Sequence, residues 1–340
     1  MMIATERLSP DPQGIARAAA LLAIGENVAF ATETVYGLGG DARNDRAVAG
    51  IFAAKARPAF NPLIVHVADL AAAQAIAAFT PQALVLAAAF WPGPLTLVLP
   101  LRPGAGIAPL VTAGLMTVAI RVPAHPLAQS LLRAFGGPIA APSANPSGRI
   151  SPTRADHVMA GLGGRIAAVL DGGPCAVGIE STIIGFAPGP VLLRPGGLAV
   201  EQIDAVLGHA LPAAPDQTMP LAHPQSRPSS PGQLASHYAP VAALRLNATS
   251  PGDGVHIAFG PPFGPPFGPP LGPPPGTLNL SPTGDLTEAA ANLFHHLRQA
   301  DALAGPQGMI SVAPIPRHGL GRAINDRLSR AAAPRAPPTA

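Results

Sequence analysis

A chain of 340 residues is long enough for two hydrophobic cores, and a composition of 48% hydrophobic and 11% charged residues is globular, although 44 prolines and 37 glycines demand many turns. The single cysteine, Cys175, excludes internal disulfides and cysteine-rich metal sites and suits a reducing cytoplasm. The net charge of +3 is too small to imply nucleic-acid binding by itself, but residues 1–200 hold 13 basic and 10 acidic side chains against 8 and 8 in 201–340, so the excess fits an anionic small molecule or an RNA surface in the first part. Met1–Pro10 has no apolar run of signal-peptide length, so export is not expected.

Asp11-Pro12 reads as a helix cap with proline at the first helical position, and Ile15, Ala18, Ala19 and Leu22 recur at helical spacing until Gly25. A short apolar strand, Asn27 to Thr32, then meets the polar and glycine-rich stretch Thr32-Glu33-Thr34-Val35-Tyr36-Gly37-Leu38-Gly39-Gly40, which reads as a turn. Gly37-x-Gly39-x-x-Ala42 is formally a relaxed dinucleotide fingerprint, but Asp69 lies too far on to serve as its ribose-binding acid, and no P-loop sequence exists.

A helix over about Asp45 to Ala56 ends at Arg57-Pro58, because proline disfavours helical geometry in the residue before it. Lys55, the only lysine beside 20 arginines, leaves the scaffold there. A compact ammonium can follow a moving phosphate or carboxylate where a planar fork cannot, although a cation in a last helical turn is also ordinary dipole complementation. Leu63 to Val67 reads as a buried strand containing His66, either a satisfied core histidine or a ligand. The uncharged run after Asp69 is broken at Thr80-Pro81, so buried helices are expected there and not a membrane span.

Phe90 to Thr96 reads as a rigid aromatic turn into the strand Leu95 to Leu99. In the next strand, Met116 to Val122, Thr117 and Arg121 face one side, and a buried Arg121 needs an anion, either a salt-bridge partner or a carboxylate ligand. Ser143-Ala144-Asn145-Pro146-Ser147-Gly148 is a hydroxyl and amide loop that can meet phosphate or ribose, or satisfy its own turn. Ser151-Pro152-Thr153 opens a short helix; Gly178 to Ile184 gives a turn and strand; and Val191 to Arg194 is the last strand of this part.

Residues 199–211 read as helix and 212–233 as linker, ending at His237-Tyr238-Ala239-Pro240. Strands near 241–246, 255–259 and 309–312, with helices over 287–302 and 320–333, then predict a small open α/β unit. The repeat Gly260-Pro-Pro-Phe, running to Gly276, has glycine at every fourth position and cannot be collagen; it reads as an extended insertion, with a proline-rich ligand for another protein as the alternative.

The segments Thr32–Gly40, Lys55–His66, Phe90–Thr96, Val118–Pro123, Ala141–Gly148, Asp171–Ile184 and Leu193–Gly197 resemble, in order and spacing, the YrdC-type threonylcarbamoyl-AMP synthases. His237–Pro240 and the closing Gly319-Leu-Gly-Arg-Ala-Ile-Asn-Asp-Arg-Leu resemble the long two-domain form. The resemblance implies a twisted mixed sheet with helices over 8–205, a linker over 206–240 that closes over the active site, and a smaller Rossmann-like α/β domain over 241–333 with the insertion at 260–276.

It further implies that L-threonine, bicarbonate and ATP give threonylcarbamoyl-adenylate and diphosphate, for modification of adenosine 37 in tRNA by a downstream transferase complex. Lys55 and Arg57 would be catalytic, neutralising the two anions that must meet. Thr34, His66, Arg121 and Ser181 would hold threonine. Arg57, Asn61, Thr117, Ser143, Asn145, Ser151, Arg194 and Tyr238 would hold ATP, with Mg2+ on its phosphates and no metal ligand from protein side chains. A weak tRNA contact stays open. The linker keeps His237 and Tyr238 but lacks the methionine and tyrosine of the family's Pro-Gly-Met-x-Tyr pattern. Two alternatives are an RNA-binding or ribosome-associated factor of the same fold and a carbamoyl-handling hydrogenase-maturation domain, the latter needing partner domains not seen here.

Overall fold

The computed structural model describes residues 4–186, 189–213, 236–249, 254–261 and 277–334. Most of the expected linker and of the Gly-Pro-Pro insertion lie outside the described residues. The first part supplies strands β1 (Glu6–Leu8), β2 (Val28–Phe30), β3 (Gly37–Asp41), β4 (Ile64–His66), β5 (Leu95–Pro100), β6 (Thr117–Arg121), β7 (Ile139–Ala140), β8 (Ala168–Leu170), β9 (Thr182–Phe186) and β10 (Pro190–Arg194). They form one mixed sheet in the order β1-β8-β2-β3-β7-β4-β6-β5-β9-β10.

Helices α1 (Pro12–Ala23), α2 (Asp45–Lys55), α3 (Leu70–Ile76), α4 (Pro81–Phe90), α5 (Pro109–Thr112), α6 (Pro126–Phe135), α7 (Ala155–Leu162) and α8 (Val200–Leu207) belong to this part. Their starts follow local chemistry. Asp11, Asn44, Asp69 and Thr80 each accept a backbone N–H of the first turn through the side chain. The uncharged run is indeed two helices, with Pro81 at the start of the second.

The expected glycine-rich turn is corrected: Gly37–Asp41 is a strand, antiparallel to β2 with Gly37 opposite Phe30. Its glycines serve close packing. A Cβ on Gly39 would lie 2.9 Å from Phe30 and from Ile139, and one on Gly40 would lie 2.8 Å from Asn27 Nδ2. The glycines therefore let a strand run past bulky neighbours, and no phosphate-binding turn is formed.

The second sheet is wholly parallel, in the order β11-β14-β12-β13, from β11 (Ala243–Arg245), β12 (Val255–Ala258), β13 (Thr277–Asn279) and β14 (Met309–Val312). Helices α9 (Leu286–Ala304) and α10 (Gly321–Ala332) complete it. Ala289, Ala290, Leu293, Phe294, Leu297 and Ala300 of α9 are buried at helical spacing. Their apolar cluster also contains Val35, Ile150 and Ile179 of the first part and Tyr238 of the linker, so the second core is built partly from the first domain.

Candidate active site

Parallel pairing of β4 with β6 sets His66 opposite Arg121 at the ends of neighbouring strands. The loops after β2, α2 and β7, the start of β9 and the end of β10 converge on the same place. They enclose a cavity of about 50 Å³, closed on one side by His237 and Tyr238. Thr34, Arg57, His66, Arg121, Ser143, Ser181, Arg194 and Tyr238, all named from the sequence, line it.

One end carries a compensated cation. Arg121 Nη2 lies 2.6 Å from Glu33 Oε1, Nη1 donates to Thr34 Oγ1 at 2.9 Å, and Nε donates to the Gly93 carbonyl at 3.2 Å. Burial alone would raise the Glu33 carboxyl, but the Arg121 charge and the Ala124 N–H outweigh it and hold the group below its ordinary value. Both readings of Arg121 thus meet at one guanidinium: it has a salt-bridge partner and it lines the cavity.

Thr32 and Thr34 hydroxyls lie 2.8 Å apart, and Ser181 Oγ lies 2.7 Å from Thr96 Oγ1. Burial, with Arg121 adding to it, pushes the His66 imidazole down to about 3, so the ring is neutral. Its Nδ1 is buried without a partner among the described residues. Hydroxyls, a neutral imidazole and a guanidinium suit a small amino acid that carries its own hydroxyl.

The other end carries cations with a penalty on their charge. The residue after Lys55, Ala56, takes a left-handed backbone (φ 50°) that ends α2 and swings Arg57 into the cavity. Arg57 donates to the carbonyls of Asn61 (3.1 Å) and Pro62 (2.7 Å) and, among the described residues, has no carboxylate in salt-bridge range. Burial first, and repulsion from Arg194 with it, pushes the Arg57 guanidinium down to about 9. Burial lowers Arg194 as well; it donates to the Ser181 carbonyl at 2.8 Å. An anion entering between such groups relieves a penalty already present in the fold.

Five residues expected at the site lie outside the cavity wall. Lys55 Nζ is buried and donates to the carbonyls of Ser143 and Asn145, and burial puts it well below the ordinary lysine value. It braces the loop that carries Ser143. Asn145 donates to the Pro146 and Arg149 carbonyls at 2.8 Å. Asn61 is buried with both side-chain polar atoms unpartnered among the described residues. Thr117 shares a face with Arg121 but stands four residues, ~13 Å, down the strand. Ser151 donates to Glu180 Oε1 at 2.5 Å.

The sequence reading passed over Glu33, Glu180, Thr32 and His237 as site residues, all of which are buried around the cavity. The signal for the two acids was available, since a carboxylate beside Thr34 or Ser181 in so sparsely charged a chain invites the same question as Arg121. At the linker, Tyr238 takes a positive φ of 61° and stacks on Phe294 at 5.4 Å. Burial pushes its phenol up to about 12.

Comparison with known proteins agrees with this architecture. The family model described as "Telomere recombination" (Sua5, YciO and YrdC) matches residues 20–196, and the one described as "Threonylcarbamoyl-AMP synthase, C-terminal domain" matches residues 198–333. The chain belongs to the Sua5/YrdC family. A Pyrococcus abyssi member named threonylcarbamoyl-AMP synthase is 40% identical over 326 residues, covering 92% of each chain. A Bacillus subtilis member of the same name is 52% identical over 251 residues, 73% of this chain and 70% of that one. The crystal structure of P. abyssi Sua5 complexed with L-threonine superposes with a TM-score of 0.82 at 36% identity, covering 98% of each chain. This Sua5/YrdC chain thus shares a two-domain plan with relatives named as synthases. Among its described residues no helix is long and apolar enough to cross a membrane, and no three metal-ligating side chains converge.

Proposed function

We propose that the chain is a nucleotidyltransferase that makes L-threonylcarbamoyl-adenylate and diphosphate from L-threonine, bicarbonate and ATP. The observation that carries this reading is the division of the cations. Arg121 is ion-paired with Glu33 and still lines the cavity, whereas Arg57 has no carboxylate partner among the described residues, so one cavity suits one carboxylate and one polyanion. Threonine is held by Arg121 on its carboxylate, with Thr34 and Ser181 near its hydroxyl and neutral His66 beside its amine. ATP lies toward Arg57, Ser143 and Arg194, with Asn61 as a further amide contact.

The neutral amine attacks the carbon of bicarbonate with loss of water, or that of CO2 with loss of a proton, to give the carbamate. A carbamate oxygen then attacks the α-phosphorus, and the bond to diphosphate breaks. Guanidinium charge placed where the two anions meet lowers this barrier without rearrangement. Mg2+ would be held by the ATP phosphates and would supply further charge neutralisation there, since Glu33 and Glu180, the carboxylates beside the cavity, are each paired with an arginine. The product passes to the downstream tRNA threonylcarbamoyl transferase complex in the cytoplasm.

Incubation with the three substrates should release diphosphate and yield the adenylate by mass, and omission of threonine should abolish both. Diphosphate release that ignores threonine, or salt-sensitive RNA binding with no adenylate formed, overturns the reading.

A further inference from the structure

Four polar groups beside the cavity form one line of hydrogen bonds, and its two ends fix its direction. At one end stands Arg121, whose guanidinium only donates: Nη1 gives a proton to Thr34 Oγ1 at 2.9 Å. At the other stands the Val35 carbonyl, which only accepts, and Thr32 Oγ1 donates to it at 2.7 Å. Between these ends the Thr32 and Thr34 hydroxyl oxygens lie 2.8 Å apart. The carbonyl takes the Thr32 proton, so the proton in the middle bond belongs to Thr34. Turned the other way, the line would leave Thr32 Oγ1 and the carbonyl oxygen 2.7 Å apart with no hydrogen between them.

Every member of the line is anchored. Thr32 Oγ1 is also reached by the backbone N–H groups of Thr34 at 3.2 Å and Val35 at 3.3 Å, and both threonines are buried. Arg121 is held in place by Glu33 at 2.6 Å and by the Gly93 carbonyl at 3.2 Å. A hydroxyl has one proton and two lone pairs. Thr34 gives its proton to Thr32 and one lone pair to Arg121, so what it can offer to a ligand in the cavity it lines is the second lone pair. Thr32 borders the cavity too, but its proton and its acceptor side are engaged within the protein.

We propose that Thr32 is a positioning residue that makes Thr34 an acceptor toward the ligand, so that the site selects an amino acid whose side-chain hydroxyl donates a proton at that point. The proposal rests on the reading of the cavity given above and gives that reading a basis for substrate choice. The hydroxyl of threonine can turn its proton toward Thr34. A group of the same size that only accepts sets lone pair against lone pair in a buried site, where an unmet polar contact is most costly. Without the Thr32 hydroxyl, the Thr34 proton is free to swing toward the cavity and meet such a group, and the rejection weakens.

Thermal-shift titration of the full chain with L-threonine and with L-2-amino-3-fluorobutyrate tests this without turnover. The fluoro compound has the shape of threonine and an acceptor without a proton. The unaltered chain should prefer threonine by about tenfold or more. In Thr32→Val, which keeps the shape and removes the hydroxyl, that ratio should fall by at least about threefold, whereas Thr32→Ser should hold it within about twofold. A merely structural role for Thr32 would weaken both ligands together and leave the ratio where it was. An unmoved ratio in folded Thr32→Val, or a ratio that falls as far in Thr32→Ser, overturns the proposal. If Thr32→Val does not fold, Thr32→Ala is held to the same limit, and a preference below about threefold in the unaltered chain overturns the proposal without any variant. An unaltered chain that discriminates as stated but releases no diphosphate fails the reaction while leaving this arrangement standing; one that binds no threonine overturns both.

Discussion

Arg121 has two partners to satisfy at once: the fold gives it Glu33, and the proposed substrate gives it a second carboxylate. Because both side chains of the pair are nearly buried, Arg121→Met should cost about 3–5 kcal/mol of stability by stranding Glu33, measured by urea unfolding, and should abolish threonine binding. Adding Glu33→Gln should recover most of the stability and none of the threonine binding. Recovery of both would show that Arg121 does not contact substrate. Lys55 shows what a sequence can and cannot say about a residue. Its solitude among arginines marked it correctly as unusual, yet it suggested a phosphate contact, whereas the fold puts the ammonium under two backbone carbonyls. A compact head fits there; only the three-dimensional path of residues 143–145 reveals the carbonyls. Arg121 needed less, since a cation on an apolar strand must find an anion wherever the strand lies.

At the scale of elements, the loop from Gly178 to Ser181 is the one whose shape the second domain dictates. Gly178 has a φ of +76°, and a Cβ there would lie 2.4 Å from Ala291 Cα of α9. Gly178→Ala should therefore cost more than about 2 kcal/mol and weaken ATP and threonine binding together, since Glu180 and Ser181 follow directly. Unaltered melting and binding would mean that α9 yields easily. The helices were legible because caps and prolines act within four residues of sequence, as at Asp11-Pro12 and Thr80-Pro81. β3 was not, because glycines give a strand no alternating side chains and their reason, the nearness of Phe30 and Ile139, is non-local. β1 and β13 span three residues each, too few for a period of two to declare itself. Likewise the cavity wall from Thr34, His66 and Ser181 was named through family resemblance, and the parallel register that sets His66 beside Arg121 could not be read from either segment alone.

Across the whole molecule, buried neutral histidines set the response to acid. Burial holds His66 and His237 at about 3, against 6.5 for the free side chain. The unfolded chain binds protons in this window that the folded chain refuses, so stability is complete above about 6.5 and declines as pH falls toward 3. Each of the two contributes about 1.4 kcal/mol per pH unit within the window. His157, which meets His295 across α7 and α9 at 3.2 Å, shifts the same way and contributes less because solvent reaches it. Urea midpoints measured from pH 7.5 to 5 should fall accordingly, and His66→Gln should flatten the slope; a flat profile in the unaltered chain would refute the assignment. The apolar cluster shared by Val35, Ile150 and Ile179 with Phe294 and Leu297 carries a further consequence. Sharing that core, the two sheets should melt as one cooperative unit in calorimetry, which would link ligand binding in the first domain through mass action to the folding of the second. A small amino acid bound at the proposed site by β4 and β6 should thereby raise the melting temperature of a four-stranded sheet that it never touches.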